Sequence, residues 1–241
     1  MCTLTWWRKA AGTFEVFFYR DEKKTRALAE PPRTHTRDGV PFIAPVDPDG
    51  GGTWMLANQR GLVVCLLNRG HEESSSGHPF RSRGRLVMEV AALENIPAVE
   101  ERLRREDLSE LRPFTMVGFD PVGERAWTWN GQDLSVERKP EMPMCSSSFH
   151  YAEVSLARQQ RFHELRCVRR LREGLLDYFH ADTDEGPSAF TPRMLRADAQ
   201  TMSRSRVRVD PEGAKWIYLE EQENLVGEPQ VFEAAILGGS Q

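Results

Sequence analysis

The sequence predicts an α+β fold in which antiparallel sheets are flanked by helices. Its β-rich and helical runs come in blocks (strands, helices, strands, one long helix, strands) instead of the β-α alternation of a parallel sheet. Short turn signals such as Asn130-Gly131 join neighbouring strand-like runs, and no GxGxxG or P-loop fingerprint is present.

Residues 3–7 and 14–20 are β-rich runs on either side of Lys9-Ala10-Ala11-Gly12, which reads as a hairpin with Cys2 at the start of its first strand. Residues 21–52 hold Pro31, Pro32, Pro41, Pro45 and Pro48 with little periodicity, so a long ordered loop over a site is expected there. Two strands are expected at 53–57 and 62–67, joined by Asn58-Gln59-Arg60-Gly61. The second is apolar throughout, as a central strand covered on both faces would be. A helix is expected from Ser82 to about Leu93, and Pro97 restarts an amphipathic one over 96–105. Residues 114–119, 125–129 and 134–137 form an antiparallel meander, the last two strands joined by the two-residue turn Asn130-Gly131. From 151 to 180, Val154, Phe162, Leu165, Val168, Leu171, Leu175 and Phe179 recur every three or four positions, which predicts one long amphipathic helix. The tail returns to strands at 201–209, 214–219 and 230–236, with Asp210-Pro211-Glu212-Gly213 turning between the first two.

A length of 241 residues with 39% hydrophobic content suits one domain spanning 1–241. The formal charge of −4, from 32 basic and 36 acidic residues, argues against a nucleic-acid partner. No apolar run approaches the roughly 20 residues of a membrane span, and no signal-peptide core is visible, so a cytoplasmic location is expected. The cysteines Cys2, Cys65, Cys145 and Cys167 form no CxxC pair and read as reduced thiols. His71 and His78 match no compact metal motif, and neither a metal nor a cofactor is expected. Arg158, Arg161, Arg166, Arg169, Arg170 and Arg172 read as the solvated basic face of the long helix.

The residue that points most directly to chemistry is Cys2. A small residue after Met1 favours removal of the initiator, which would leave Cys2 with a thiol and a free α-amine. An α-amine with an ordinary pKa of about 7.7–8.0 can accept the thiol proton, making one residue both nucleophile and base. If the first two strands pair, Arg20 and Asp21 come close to Cys2. Arg20 would favour the thiolate and Asp21 would hydrogen-bond the amine; alternatively the two belong to a surface ion-pair cluster with Glu22, Lys23 and Lys24. Asn68 closes the apolar strand, where an amide can donate to an oxyanion or serve as a turn residue.

Met1-Cys2, Tyr19-Arg20-Asp21-Glu22, Gly51-Gly52-Thr53-Trp54, Leu66-Leu67-Asn68, Ser82-Arg83-Gly84 and Thr201-Met202-Ser203 together resemble, in order, the NRDE family, which includes the transport and Golgi organisation protein 2 homologues. The resemblance spans nearly the whole chain. It implies a four-layer αββα sandwich of the N-terminal nucleophile hydrolase type, related to penicillin V acylase and conjugated bile acid hydrolase. It also implies Cys2 as nucleophile, Arg20 and Asp21 as the organising pair, and Asn68 as an oxyanion donor. Ser147 falls where those acylases carry a second Asn, Arg196 is a counterpart of their late arginine, and Tyr19 replaces the first residue of the NRDE motif. Two functions follow from the resemblance. One is an N-terminal cysteine amidohydrolase or acyltransferase that acts on a small non-peptide amide or thioester through an acyl-Cys2 intermediate. The other is a non-catalytic haem or acyl-CoA carrier on the same fold, with Trp6, Trp7, Trp54, Trp127 and Trp129 available to line an apolar pocket.

Overall fold

The structure of the chain is a computed structural model that describes residues 2–9, 12–70, 80–148, 150–169, 174–182, 186–221 and 231–237. Strands β1 (Cys2–Arg8) and β2 (Phe14–Lys23) pair antiparallel along their full length, as the hairpin reading requires. They belong to a six-stranded sheet with β10 (Met144–Ser146), β11 (Ala199–Asp210), β12 (Gly213–Glu220) and β13 (Val231–Leu237), in the order β10-β1-β2-β11-β12-β13. The second sheet has seven strands in sequential order: β3 (Glu30–Arg37), β4 (Val40–Val46), β5 (Met55–Asn58), β6 (Val63–Asn68), β7 (Phe114–Phe119), β8 (Glu124–Trp129) and β9 (Leu134–Glu137). β6, the fourth of the seven, is the central strand that its unbroken apolar run predicted.

Three apolar cores define four layers. Between the sheets, Leu4, Trp6 and Phe18 meet Ile43, Cys65 and Val117. On the outer face of the seven-stranded sheet, Val64, Met116 and Trp127 are covered by Leu86 and Val87 of α1 (Arg83–Glu89) and by Val99 and Leu103 of α2 (Ile96–Arg105). Beneath the six-stranded sheet, Phe17 packs on Phe162 and Leu165 of α3 (Tyr151–Arg169) and on Leu175 and Phe179 of α4 (Leu175–Ala181). Phe17 and Phe18 thus serve different cores, because successive strand side chains leave opposite faces. Each large apolar side chain so buried contributes about 1.5–3 kcal/mol.

Four segments differ from the sequence expectation. Residues 21–52 are not one long loop: β3 and β4 form a hairpin closed by Asp38 (φ 47°) and Gly39 (φ 76°), the two left-handed residues that a tight hairpin turn demands. Pro31 and Pro32 fit because β3 is an edge strand and its ladder is irregular between Glu30 and Arg33, where they need donate nothing. The helix from Ser82 ends at Glu89 rather than Leu93. The turn after β8 has four residues: Trp129 pairs with Leu134, and the Asn130 carboxamide oxygen accepts from the Gln132 and Asp133 amides. The long helix is two helices, the second starting after Gly174 at φ 92°, a left-handed conformation that an α-helix does not accommodate. Leu171, Arg170 and Arg172 lie outside the described residues, as do His71 and His78. Val168 is exposed.

Candidate active site around Cys2

The register of the six-stranded sheet builds the site. Cys2 lies opposite Arg20 of β2 on one side and Ser146 of β10 on the other. Directly paired residues project from the same face of a sheet, so all three side chains face the second sheet, where Cys2 belongs to the inter-sheet core and lies close to Cys65. Arg20 is buried, its guanidinium 4.4 Å from the Trp54 ring centroid and 3.6 Å from Glu22. Ser146 is 1% exposed, and its Oγ has no hydrogen-bond partner.

Asp21, one residue along, points the other way, into the helical layer. Its Oδ1 accepts from Thr201 Oγ1 at 2.7 Å, and its Oδ2 lies 3.6 Å from Arg158 Nη2, with both side chains fully buried. Its backbone N–H, by contrast, donates to the Cys2 sulfur. The neighbouring strand β11 carries a bulge between Thr201 and Ser203, opposite Asp21 and Arg20. The extra residue, Met202, lets Thr201 meet Asp21 on one face while Ser203 pairs with Arg20 on the other, the kind of local re-aiming that bulges provide.

Arg158 is the residue that sequence reasoning misplaced. The arginine-rich pattern of the helix places it on the solvated face, yet it is 0% exposed. Its Nη1 donates to Thr3 Oγ1 at 2.5 Å and to the Cys2 carbonyl at 3.5 Å, while Nη2 and Nε reach the Ala189 and Phe190 carbonyls at 3.4 Å each. The signal was available: Arg158 is four residues after Val154 and four before Phe162, both buried, so it lies on the helix's inward stripe. Arg161 of the same helix pairs with Asp182 instead and ties α3 to the end of α4.

The electrostatics follow from burial. Burial raises the Cys2 thiol above its ordinary pKa, against the pull of Arg20 and the Asp21 N–H, so at neutral pH the sulfur is protonated and needs a proton acceptor to react. Burial likewise raises the Asp21 carboxyl, with Arg158 and Thr201 opposing it. His180 is pushed down to about 3 by burial and by Arg158 and Arg204. It is neutral, bonded through Nε2 to Thr5 Oγ1 at 2.7 Å and packed against Phe17 and Tyr19. Tyr19 itself is pushed up to about 12, chiefly by burial.

The remaining sequence candidates lie elsewhere. Asn68 is exposed at the end of β6. By strand alternation it shares the face of Leu66 rather than that of Cys65 and Leu67. Ser147 is buried just past the end of β10, while Ser146 is the hydroxyl directly opposite Cys2. Arg196 sits in the loop before β11 with its guanidinium on Asp198 at 2.8 Å. The tryptophans are divided among three cores: Trp6 and Trp54 between the sheets, Trp127 and Trp129 under α1 and α2, and Trp7 beside α3 and α4. They do not line one pocket. Among the described residues, no group of His, Cys, Asp and Glu could hold a metal, and no helix is long and apolar enough to cross a membrane.

Two antiparallel sheets between helical layers define an N-terminal-nucleophile-hydrolase-like fold, and solved structures share it. The chain is similar to a cysteine-to-alanine mutant of conjugated bile acid hydrolase from Clostridium perfringens, with TM-score 0.58, 12% identity, and coverage of 98% of this chain and 92% of that one. It is also similar to the Caenorhabditis elegans ortholog of N-acylethanolamine-hydrolyzing acid amidase, with TM-score 0.57, 10% identity, and coverage of 86% and 92%. The family model for Transport and Golgi organisation 2 matches residues 1–209, and the chain belongs to that family. No curated protein sequence matches it.

Proposed function

We propose that the protein is an N-terminal cysteine hydrolase that cleaves a small non-peptide amide or thioester through an acyl-Cys2 intermediate. The observation that carries this reading is the register that sets Cys2 between Arg20 and Ser146 with the Asp21 N–H on its sulfur. The hydrolase names of the structural neighbours agree with it. The carrier alternative, which rests on the family resemblance, draws no support from the tryptophans, since they are dispersed among three cores.

In this scheme Met1 is removed and the freed Cys2 α-amine takes the thiol proton, which the raised thiol pKa makes necessary. The sulfur forms a bond to the substrate carbonyl carbon, and the carbonyl oxygen becomes an oxyanion. Ser146 Oγ–H, which has no other acceptor, donates to that oxygen. Asn68 takes no part in this scheme, because it leaves β6 on the face of Leu66, away from Cys65 and Cys2. Collapse breaks the C–N or C–S bond, and the ammonium returns its proton to the leaving group. Water then attacks the acyl-Cys2 carbonyl, gives a proton back through the amine, and releases the carboxylic acid and the free thiol.

Intact-mass measurement after incubation with an activated acyl ester tests the scheme. The expected result is one acyl adduct on a chain that begins at Cys2, none in Cys2→Ala, and acylation slowed about 10²-fold in Ser146→Ala, the usual cost of losing an oxyanion donor. A retained Met1, or an adduct that persists in Cys2→Ala, would sink it.

A further inference from the structure

Five acidic residues are buried among the described residues, and four of them have partners. Glu15 holds Arg206, Asp21 holds Arg158, Asp182 holds Arg161, and Asp120 accepts from the Ile96, Val122 and Gly123 amides. The fifth, Glu220, has neither a cation within 4.0 Å nor a hydrogen-bond donor among the described residues. Burial raises its carboxyl above the ordinary value, with no cation opposing. A buried carboxylate without a partner is costly.

Strand register sets Glu220 in line with the nucleophile. Ser146 pairs with Cys2, Cys2 with Arg20, Arg20 with Ser203, and Ser203 with Glu220. Directly paired residues leave a sheet on the same face, so these five form one row across β10, β1, β2, β11 and β12, facing the second sheet. The alternation that sends Trp216 and Tyr218 into the inter-sheet core sends Glu220 there as well. Cys2 and Glu220 are three strand spacings apart, about 14 Å. The row lies at one end of the sandwich, where β1 begins at Cys2, β10 ends at Ser146 and β12 ends at Glu220.

Other polar atoms on this side lack partners too. Ser146 Oγ is one, and Ser205 Oγ, on the same face of β11 as Ser203, is another. Trp54 Nε1 is a third, on the ring that the Arg20 guanidinium stacks against. All three residues are buried. Arg20, the cation of the row, is turned to Glu22 and Trp54 and leaves Glu220 without a counter-charge. Protein interiors pair nearly all such groups, so a string of unmatched ones beside a nucleophile marks a ligand-binding surface.

We propose that the row from Arg20 to Glu220 is the acyl-chain subsite of the Cys2 site and that the acyl chain ends in a primary amine, held as its ammonium by Glu220. The acyl assignment rests on the nucleophile reading above; the amine site itself does not. An ammonium brings one positive charge and three donors, which match one carboxylate and the hydroxyls of Ser203 and Ser205. A carboxylate end would meet Glu220 as a like charge, and an alkyl end would leave the glutamate and the hydroxyls unmatched. The acyl half is assigned to this side because it stays on Cys2 through both steps, whereas the leaving group must depart and water must enter. A buried row suits the half that stays.

Titration calorimetry of the Cys2→Ala protein with 8-aminooctanamide and with nonanamide, which differ only in an ammonium against a methyl, tests the amine site. The amine should bind saturably and at least ten-fold more tightly, and Glu220→Gln should abolish that preference. Because the comparison is made first with Glu220 in place, it stays decisive if Glu220→Gln fails to fold. The nitrophenyl esters of 8-aminooctanoic and nonanoic acids then report on Cys2 itself: the ratio of their labelling rates should favour the amine and fall about ten-fold in Glu220→Gln. Equal affinity for the two amides, or an amine preference that Glu220→Gln leaves in place, overturns the amine site. Amine binding through Glu220 with esters that label Cys2 at equal rates overturns the acyl assignment. If neither ester labels Cys2 while the amine still binds through Glu220, the nucleophile reading fails and the amine site stands.

Discussion

Replacing Arg158 by Met removes the charge and its hydrogen bonds while keeping most of the apolar stem, so the ion-pair share is read from a double-mutant cycle. In the folded chain Arg158 and Asp21 are both fully buried, 3.6 Å apart, and the arginine also holds Thr3 and three backbone carbonyls. After the change Asp21 retains Thr201 but faces no cation from α3. Removing one partner of a buried pair costs about 3–5 kcal/mol, because the other charge is left uncompensated. At this chain length about 2–4 °C is lost per kcal/mol, so the melting temperature should fall by roughly 6–20 °C. The double variant Arg158→Met/Asp21→Asn should recover much of the deficit, giving a coupling of about 1–3 kcal/mol in a double-mutant cycle. The pH dependence has a definite sign. Burial already raises the Asp21 pKa while Arg158 lowers it, so losing Arg158 raises it further. Asp21 then protonates more readily in the folded variant as pH falls, and the destabilisation should be smaller at pH 5 than at pH 8. Urea unfolding followed by tryptophan fluorescence at both pH values measures this. A loss below about 1 kcal/mol, or additive single variants, would refute the assignment of Arg158 as the counter-charge of Asp21.

Two further changes probe the frame around the site. His180, held at about 3 against an ordinary 6.5, stays neutral in the fold while the unfolded chain takes up a proton. Its contribution is therefore present above pH 6.5 and is lost as pH falls from 6.5 toward 3, by up to about 5 kcal/mol at about 1.4 kcal/mol per unit. His180→Gln should flatten the unfolding free energy over that range, and parallel curves for the two proteins would count against it. Gly52→Ala places a Cβ 2.3 Å from the Gly84 carbonyl carbon and 2.6 Å from the Arg85 amide nitrogen, both backbone atoms that cannot swing aside. The expected cost is at or above the upper end of the about 1–3 kcal/mol of overpacking, read as a lower denaturation midpoint; an unchanged midpoint would mean that the Gly52–Gly84 contact is not maintained in solution.

What could be read from the chain depended on how local its cause was. The β1–β2 hairpin follows from two β-rich runs and a short connector, and its register then sets Cys2 opposite Arg20 without further information. The central place of β6 follows from its apolar composition. β10 is three residues long and exists only because β1 offers it an edge, so Ser146 could not be matched to Cys2 before the sheet was known. The β3–β4 hairpin was obscured by its prolines, although Asp38-Gly39 is a recognised hairpin turn pair. Arg158 shows a different limit: helical spacing alone set it inward, and the usual exposure of arginine argued against that spacing. Its burial becomes understandable only once Asp21, 137 positions earlier in the chain, is known to lie beneath it.

Arg20 and Asp21 are neighbours in the chain, yet their side chains serve different layers. In a strand, adjacency is separation: consecutive side chains leave opposite faces, so Arg20 enters the inter-sheet space beside Cys2 while Asp21 enters the helical layer. The two therefore act by different routes. Arg20 acts through its charge, on the same face as the thiol. Asp21 meets the sulfur through its backbone amide, and its carboxylate, held by Thr201 and Arg158, fixes the strand that carries that amide. The bulge at Met202 serves both routes by presenting Thr201 to one face and Ser203 to the other across from this dipeptide. A change to the Asp21 carboxylate should therefore act on Cys2 by displacing the amide and altering the local field, and a change to Arg20 by altering the charge at the sulfur itself.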